Sequence, residues 1–278
     1  MDCLNVGCGS QFHAAWTNID VNPVNSCVQN HDCRSGIPFP DYAFDVVYHS
    51  HVLEHFPKTE ALLFLQECFR VLRPGGIIRV AVPDLECLVR LYLCAIDKAA
   101  SGDIQWQHNY DWLMLELYDQ TVRNRSGGAI IEYLKQDPLP NKAFLLERWG
   151  GEIRRILEAV RSSTQPNQSR LPFIEAITRR LFLIPQKVLT RFRQKLLGSQ
   201  GSKALQIGQF RLAGEIHQWM YDRYSLARML GQAGFQNPQR RGPTESLIPG
   251  WANFHLDAEP NGSTYKPDSI YMEAVKSR

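Results

Sequence analysis

The sequence predicts an α/β fold: a largely parallel sheet with helices on both faces and a large helical insertion before its last strands. Three observations predict it. Short apolar or β-branched runs (Cys3-Leu4, Thr17 to Asp20, Phe44 to Tyr48, Ile77 to Val82) alternate with stretches of helical periodicity, the pattern of βαβ units. The first run ends in Gly7-Cys8-Gly9, and two glycines one residue apart let a strand bring its backbone against a ligand. From about Ala100 to Ala213 the pattern changes to helical segments broken by polar loops.

Each element follows from its residues. Thr17-Asn18-Ile19-Asp20 is a strand that ends in a carboxylate, suited to accept hydrogen bonds from ribose hydroxyls. That carboxylate comes about ten residues after the glycines, and no third glycine opens a helix, so a dinucleotide site is disfavoured. Cys27 to Asp32 reads as a third strand, and Phe44 to Tyr48 as a buried parallel one. Pro57 suits a first helical turn. Ala61, Leu62, Leu65, Cys68, Phe69 and Leu72 then share one helix face, and Pro74-Gly75-Gly76 stops it. Ile77 to Val82 is the next strand, and Pro83-Asp84 leads into a helix through Leu93. Ligands of parallel sheets sit at the carboxyl ends of the strands, where Gly7, Asp20, Asp32, His49 to His55 and Asp84 all fall.

The predicted organisation is a core over 1–99, a helical insertion over 100–213 and a return to the core over 214–278. Within the insertion, helices are expected at Trp112 to Val122 and Ala143 to Val160, with a loop at Ser162 to Ser169. Residues 170–203 carry eight basic side chains against the single acid Glu175, interleaved with apolar residues. Such a segment suits peripheral contact with an anionic membrane surface, or a solvated cationic face over an ordinary core contact. In the return, Ser225 is the expected N-cap of a helix stopped by Gly234, and Ser269 to Val275 the closing strand.

Composition bounds the function classes. A formal charge of +3 over 278 residues does not by itself indicate nucleic-acid binding, and no nucleic-acid partner is expected. Seven cysteines, an odd number without a Cys-x-x-Cys pair, fit reduced thiols rather than a disulfide framework or zinc site. Met1-Asp2-Cys3-Leu4 shows no basic segment followed by an apolar one, and no apolar run nears the ~20 residues of a spanning helix. The expected location is the cytoplasm, with peripheral contact at the inner face of the membrane through 170–203.

Five ordered motifs resemble the class I S-adenosylmethionine-dependent methyltransferases, specifically the type 11 group. They are Leu4 to Gly9, Asn18-Ile19-Asp20, Ile37 to Asp41 with Phe44 to Val47, Val52-Leu53-Glu54-His55, and Arg70 to Gly76. The resemblance implies a Rossmann-like sheet with S-adenosylmethionine as cofactor. It places Gly7 and Gly9 under the methionine part, Asp20 at the ribose, Asp32 and Cys33 at the adenine, and His49, Ser50 and His51 on the sulfonium side. Two features depart from the pattern: the connection Ser10 to Thr17 is too short for the usual first helix, and Asn5 stands where an acid is common. His217 to Asp222, Ala233-Gly234-Phe235 and Lys266 to Ser269 are similar to methyltransferases of bacterial polysaccharide and cell-envelope glycan synthesis. That similarity implies O-methylation of a sugar hydroxyl in a glycan or lipid-linked saccharide. Two alternatives are methylation of a small metabolite in an apolar pocket lined by Trp112 and Trp219, and a non-catalytic cofactor-binding member of the fold.

Methyl transfer to a hydroxyl gains from a general base, and histidine is poised for that role. His51 is the first candidate and His217 the second, with His55 expected to be a structural partner of Glu54. His51 to His55 also spells His-x-x-Glu-His, a zinc-peptidase pattern. Phe56-Pro57 argues against the long helix that pattern needs, and no metal ligands are assigned. A divalent ion held by His51, Glu54 and His55 is kept as a minority reading.

Overall fold

The computed structural model describes residues 1–164 and 197–277. Seven strands, β1 (Cys3–Val6), β2 (Thr17–Asp20), β3 (Val28–Asn30), β4 (Phe44–Ser50), β5 (Leu72–Pro83), β6 (Phe235–Arg241) and β7 (Ser269–Lys276), form one sheet in the order β3-β2-β1-β4-β5-β7-β6. The first five are mutually parallel, and β7 inserts antiparallel between β5 and β6. This is the Rossmann-like α/β sheet that the sequence predicts.

The helices are α1 (Lys58–Val71), α2 (Leu85–Ala100), α3 (Ile104–Val122), α4 (Gly128–Leu134), α5 (Lys142–Thr164), α6 (197–212) and α7 (Arg223–Gln232). Strand alternation sorts the core. Leu4, Val6, Val47 and Ile78 meet Phe64 and Leu65 of α1 and Leu226 and Leu230 of α7 on one face. Cys3, Val46 and Tyr48 meet Trp16, Trp251 and Leu256 on the other, where the covering helix is the short 3-10 segment Trp251–Phe254. Between β5 and β6, the helices have a core of their own, built on Trp112, Leu145, Trp149 and Ile153.

Several expectations need local correction. Asp222, not Ser225, is the N-cap of α7; Ser225 is its reciprocal partner in a capping box. The third strand is shorter than expected, because Asp32 caps the 3-10 turn Cys33–Ser35 instead of ending a strand. The helix expected through Leu93 runs on to Ala100, and α5 runs to Thr164, into the expected loop. The rest of that loop and residues 170–196 of the basic segment lie outside the described residues. β6 has no counterpart in the sequence reading: it is polar and contains Pro238, tolerated because it is an edge strand with a register shift between Gln236 and Gln239. No described helix is long and apolar enough to cross a membrane.

One break positions the site. α5 leaves helical geometry at Gly150 (φ +56°), where a Cβ would stand 2.6 Å from Pro267 Cδ. That close approach lets Gly151 N–H donate to the Tyr265 carbonyl at 2.9 Å. It also brings Glu152 against Lys266, at 2.9 Å.

Candidate functional site

The loop after β1 is shaped by its backbone. Gly7 (φ +64°) donates its N–H to the Ile19 carbonyl at 2.8 Å, and Gly9 (φ +53°) to Asp20 Oδ2 at 2.8 Å. A Cβ on Gly7 would lie 2.5 Å from Val52 Cγ2, so a side chain there would displace the segment carrying His51. Asp20 Oδ1 also accepts from Asn22 N–H at 2.7 Å. The carboxylate therefore holds the loop in shape as well as facing a cleft.

Three adjoining clefts open along the carboxyl ends of the strands. One of about 170 Å³ is bordered by Gly7, Asp20, Asp32 and Cys33. A second, of about 230 Å³, is bordered by Asn5, Gly7, Gly9, Gln11 and Ser50. The third, of about 380 Å³, lies between the strand ends and α3 to α5, with Glu116, Arg148, His217 and Asp268 on its walls. Among the described residues, His51 alone borders all three.

The first two clefts have distinct chemistry. Asp32 is held below the usual carboxylate range by its 2.6 Å bond from Arg34, while burial pushes the Cys33 thiol up to about 11. In the second cleft, Asn5 Nδ2 donates to the Gln11 carbonyl at 3.1 Å, which leaves Asn5 Oδ1 as a buried acceptor without a partner.

His49 does not join this group. It is fully buried, its ring packs edge-on against Phe64 at 5.0 Å, neither nitrogen has a hydrogen-bond partner among the described residues, and burial pulls its pKa down to about 3. The reason is strand periodicity: successive residues of β4 face opposite sides, so His49 enters the α1 layer while Ser50 borders the cleft.

His51 follows the end of β4 in a left-handed conformation (φ +54°), a strain that a residue other than glycine carries where its surroundings dictate it. Its Nε2 lies 2.7 Å from Ser269 Oγ and its Nδ1 3.3 Å from Glu54 Oε1. Leu53–His55 is a single 3-10 turn, so the helix of a zinc peptidase is absent there. The tail closes onto that turn: Gln218 N–H donates to the Glu54 carbonyl at 2.7 Å, and His217 N–H to the Gln120 carbonyl at 2.9 Å. This brings the His217 ring edge-on to His55, centroids 4.9 Å apart. His51 and His217 thus border one cleft. Glu54 Oε1 approaches the His51 ring rather than that of His55, whose Nδ1–H donates to the Ile216 carbonyl at 3.1 Å.

The large cleft is strongly charged. Arg148 pairs with Glu116 at 3.1 Å, Lys266 with Glu152 at 2.9 Å, Arg123 with Glu215 at 3.3 Å and Arg240 with Asp84 at 3.4 Å. Glu54 and Asp268 have no Lys or Arg partner among the described residues, and burial pushes them up to about 8 and about 7. Burial, then the neighbouring Lys266, hold His51 well below the usual imidazole range; burial and then His55 do the same for His217. Burial opposes the Lys266 ammonium, yet Glu152, Asp268 and Glu54 raise it. The sequence reading assigned no role to Arg148, Glu152, Lys266, Asp268 or Ser269. Lys266 to Ser269 stood out as a motif, but only folding shows what it meets. Trp112 is fully buried in the helical core, and Trp219 lies half-exposed under Lys58, so neither borders the cleft.

Residues 4–80 match the sequence model of a family described as a methyltransferase domain. A probable S-adenosylmethionine-dependent methyltransferase of Mycolicibacterium smegmatis is 33% identical over 100 residues, 30% of this chain and 38% of its own length. The phthiotriol/phenolphthiotriol dimycocerosates methyltransferase of Mycobacterium leprae is 35% identical over 82 residues, 24% of this chain and 28% of its own. The chain thus spans well under half the length of either relative. Among solved structures, the CurJ carbon methyltransferase aligns over 100% of this chain and 49% of its own at 9% identity, with a TM-score of 0.37. The stretch that builds the glycine loop, Asp20 and His51 is therefore similar in sequence to methyltransferase domains, and it is carried on a Rossmann-like α/β sheet.

Proposed function

We propose that the protein is an S-adenosylmethionine-dependent methyltransferase acting on an oxygen acceptor, with His51 as general base. The observation that carries this reading is the place of His51 where the three clefts meet. Asp20, Asp32 and Cys33 border the space for ribose and adenine. Gly7, Gly9 and the free Asn5 Oδ1 border the space for the methionine part, whose ammonium supplies the donor that Asn5 lacks. The acceptor occupies the third cleft. S-adenosylmethionine would supply an electrophilic methyl there: as the acceptor oxygen bonded to the methyl carbon, the carbon–sulfur bond would break and its electron pair would neutralise the sulfonium. The acceptor proton passes to His51 Nε2, which lies beside the Ser269 hydroxyl. His217, which borders the same cleft, positions the acceptor. Positioning and exclusion of water supply most of the catalysis in such a displacement.

The ion-paired walls favour a polar, hydroxyl-rich acceptor, and a sugar of a glycan or lipid-linked saccharide fits that chemistry. The small-metabolite reading expects Trp112 and Trp219 on the walls, and neither borders the cleft, although Trp149 does. The test is calorimetric titration with S-adenosylhomocysteine, with NAD as control. Micromolar binding of the first alone supports the reading; binding of neither, or of NAD, overturns it.

A further inference from the structure

We propose that Glu54, His55 and His217 form a site for a divalent transition-metal ion of the zinc class, on the wall of the large cleft next to His51. One donor atom from each of the three lies within 4.8 Å of the other two. The carboxylate is the first indication. Glu54 is fully buried, yet neither oxygen accepts a hydrogen bond from the described residues; the 3.3 Å approach of His51 Nδ1 to Oε1 lacks hydrogen-bond alignment. A buried carboxyl is neutralised, hydrogen-bonded, paired with a cation or bound to a metal, and among the described residues Glu54 has neither a hydrogen bond nor a Lys or Arg partner.

The histidines present the right faces. A carbonyl oxygen can only accept, so the Ile216 contact fixes the proton of His55 on Nδ1 and leaves Nε2 with a free lone pair. A ligating imidazole whose other nitrogen donates to a backbone carbonyl is the usual outer-shell arrangement of a metal site. The His217 ring makes no hydrogen bond to the described residues; it is held only by its backbone N–H and by ring contact with His55. Charge is in accord as well. Among the described residues, every Lys and Arg on the cleft wall is matched by an acid, which leaves Asp268 on the wall and Glu54 behind it to offset a dication. Two imidazoles and one carboxylate select zinc, iron(II), cobalt or nickel over magnesium or calcium, which prefer all-oxygen sets. Three protein ligands beside a cleft leave a coordination position open. The metal site stands on this cluster alone; its use, to polarise an acceptor oxygen before His51 takes the proton, rests on the methyl-transfer reading.

The experiment is calorimetric titration of chelator-treated, full-length protein with zinc, with metal content measured after gel filtration and cobalt(II) absorption as a spectroscopic readout. One ion per chain is expected, with visible cobalt bands. Loss of an outer-shell partner alone costs ~10–100-fold in metal affinity, so Glu54→Gln and His217→Ala should each weaken binding by at least that much. His13→Ala, a histidine outside all three clefts, should leave affinity unchanged. Far substoichiometric metal on the wild-type protein, or unchanged affinity in both variants, overturns the proposal, and the wild-type result decides even where a variant fails to fold. S-adenosylhomocysteine titration in chelator is read separately: cofactor binding without metal uptake sinks the metal site and keeps the methyl-transfer reading, while metal uptake without cofactor binding does the reverse.

Discussion

The protein buries two clusters of charge, and they are built on opposite rules. On the Trp251 side of the sheet, Arg79 is fully buried. It donates to Asp257 Oδ2 at 2.7 Å, to Glu273 Oε1 at 2.7 Å and to the Glu245 and Gly242 carbonyls at 3.0 and 2.8 Å, with its guanidinium over the Trp251 ring. Its acids are satisfied in turn: Tyr48 O–H donates to Asp257 at 2.6 Å, and Leu247 N–H and the Ser246 hydroxyl to Glu273. Around His51, by contrast, among the described residues Glu54 accepts no hydrogen bond, Asp268 has no cation within ion-pair distance, and the His217 ring makes no hydrogen bond. A closed network fixes a fold, because every partner is present before any ligand arrives. An open one waits for something to complete it, which is why Glu54 and its neighbours are the functional candidates and Arg79 is not.

The sharpest way to break this contrast is to remove Arg79. Arg79→Met leaves Asp257 and Glu273 buried without their cation, and breaking a buried pair in this way costs about 3–5 kcal/mol. Urea unfolding should show that loss directly. A stability within experimental error of the wild type would mean that the network is not structural, and the distinction between the clusters would go with it.

Next in size is His51→Ala. Loss of a positioned general base costs ~10²–10⁴-fold in rate, while S-adenosylhomocysteine affinity should stay near the wild-type value because His51 only borders the cofactor clefts. A normal turnover would move the base elsewhere, with His217 the next to test. A large loss of cofactor affinity would instead make His51 a binding residue.

How much of each cluster could be read in the sequence follows from how far apart its members lie. Gly7, Gly9 and Asp20 are local in sequence, and their motifs mark the strand ends that border the two smaller clefts, whereas Asp32 reaches its cleft from a 3-10 turn. The turn carrying His51, Glu54 and His55 was equally local. Arg79, Asp257 and Glu273 come from separate strands and a loop, so no pattern announces them. The same holds for Lys266 and Glu152, which meet only because α5 breaks at Gly150. His49 is the instructive error. Strand alternation was available from the sequence and separates it from Ser50, and applying it would have sent His49 into the α1 layer. β6 was hidden for another reason: an edge strand with proline and little buried surface carries no apolar rhythm.

Asp20→Ala sharpens the division of labour on the cofactor side. The carboxylate accepts from Gly9 and Asn22, so its removal loosens the loop, and on the proposed function it deletes the ribose contact at once. A hydrogen bond to a charged group contributes about 1.5–3 kcal/mol, which converts to roughly a 10- to 150-fold weaker S-adenosylhomocysteine titration. Asp20→Asn should recover part of this, since the amide oxygen still accepts from Gly9. Equal loss in both variants would assign the effect to charge rather than to loop shape.

The smallest expected effect is the most telling for the comparison. Glu54→Gln removes a buried carboxyl of the same size and shape as the amide that replaces it. Because Glu54 accepts no hydrogen bond, none is lost, and stability should change by less than about 1 kcal/mol or rise. The matching change in the closed cluster, Glu273→Gln, strips an acceptor from Arg79, Ser246 and Leu247 together and should cost several times more. Urea midpoints of the two variants, measured side by side, therefore place each carboxyl on one side of the line. If Glu54→Gln fell as far as Glu273→Gln, Glu54 would be holding the fold together, and the open cluster would be a structural network like the one around Arg79.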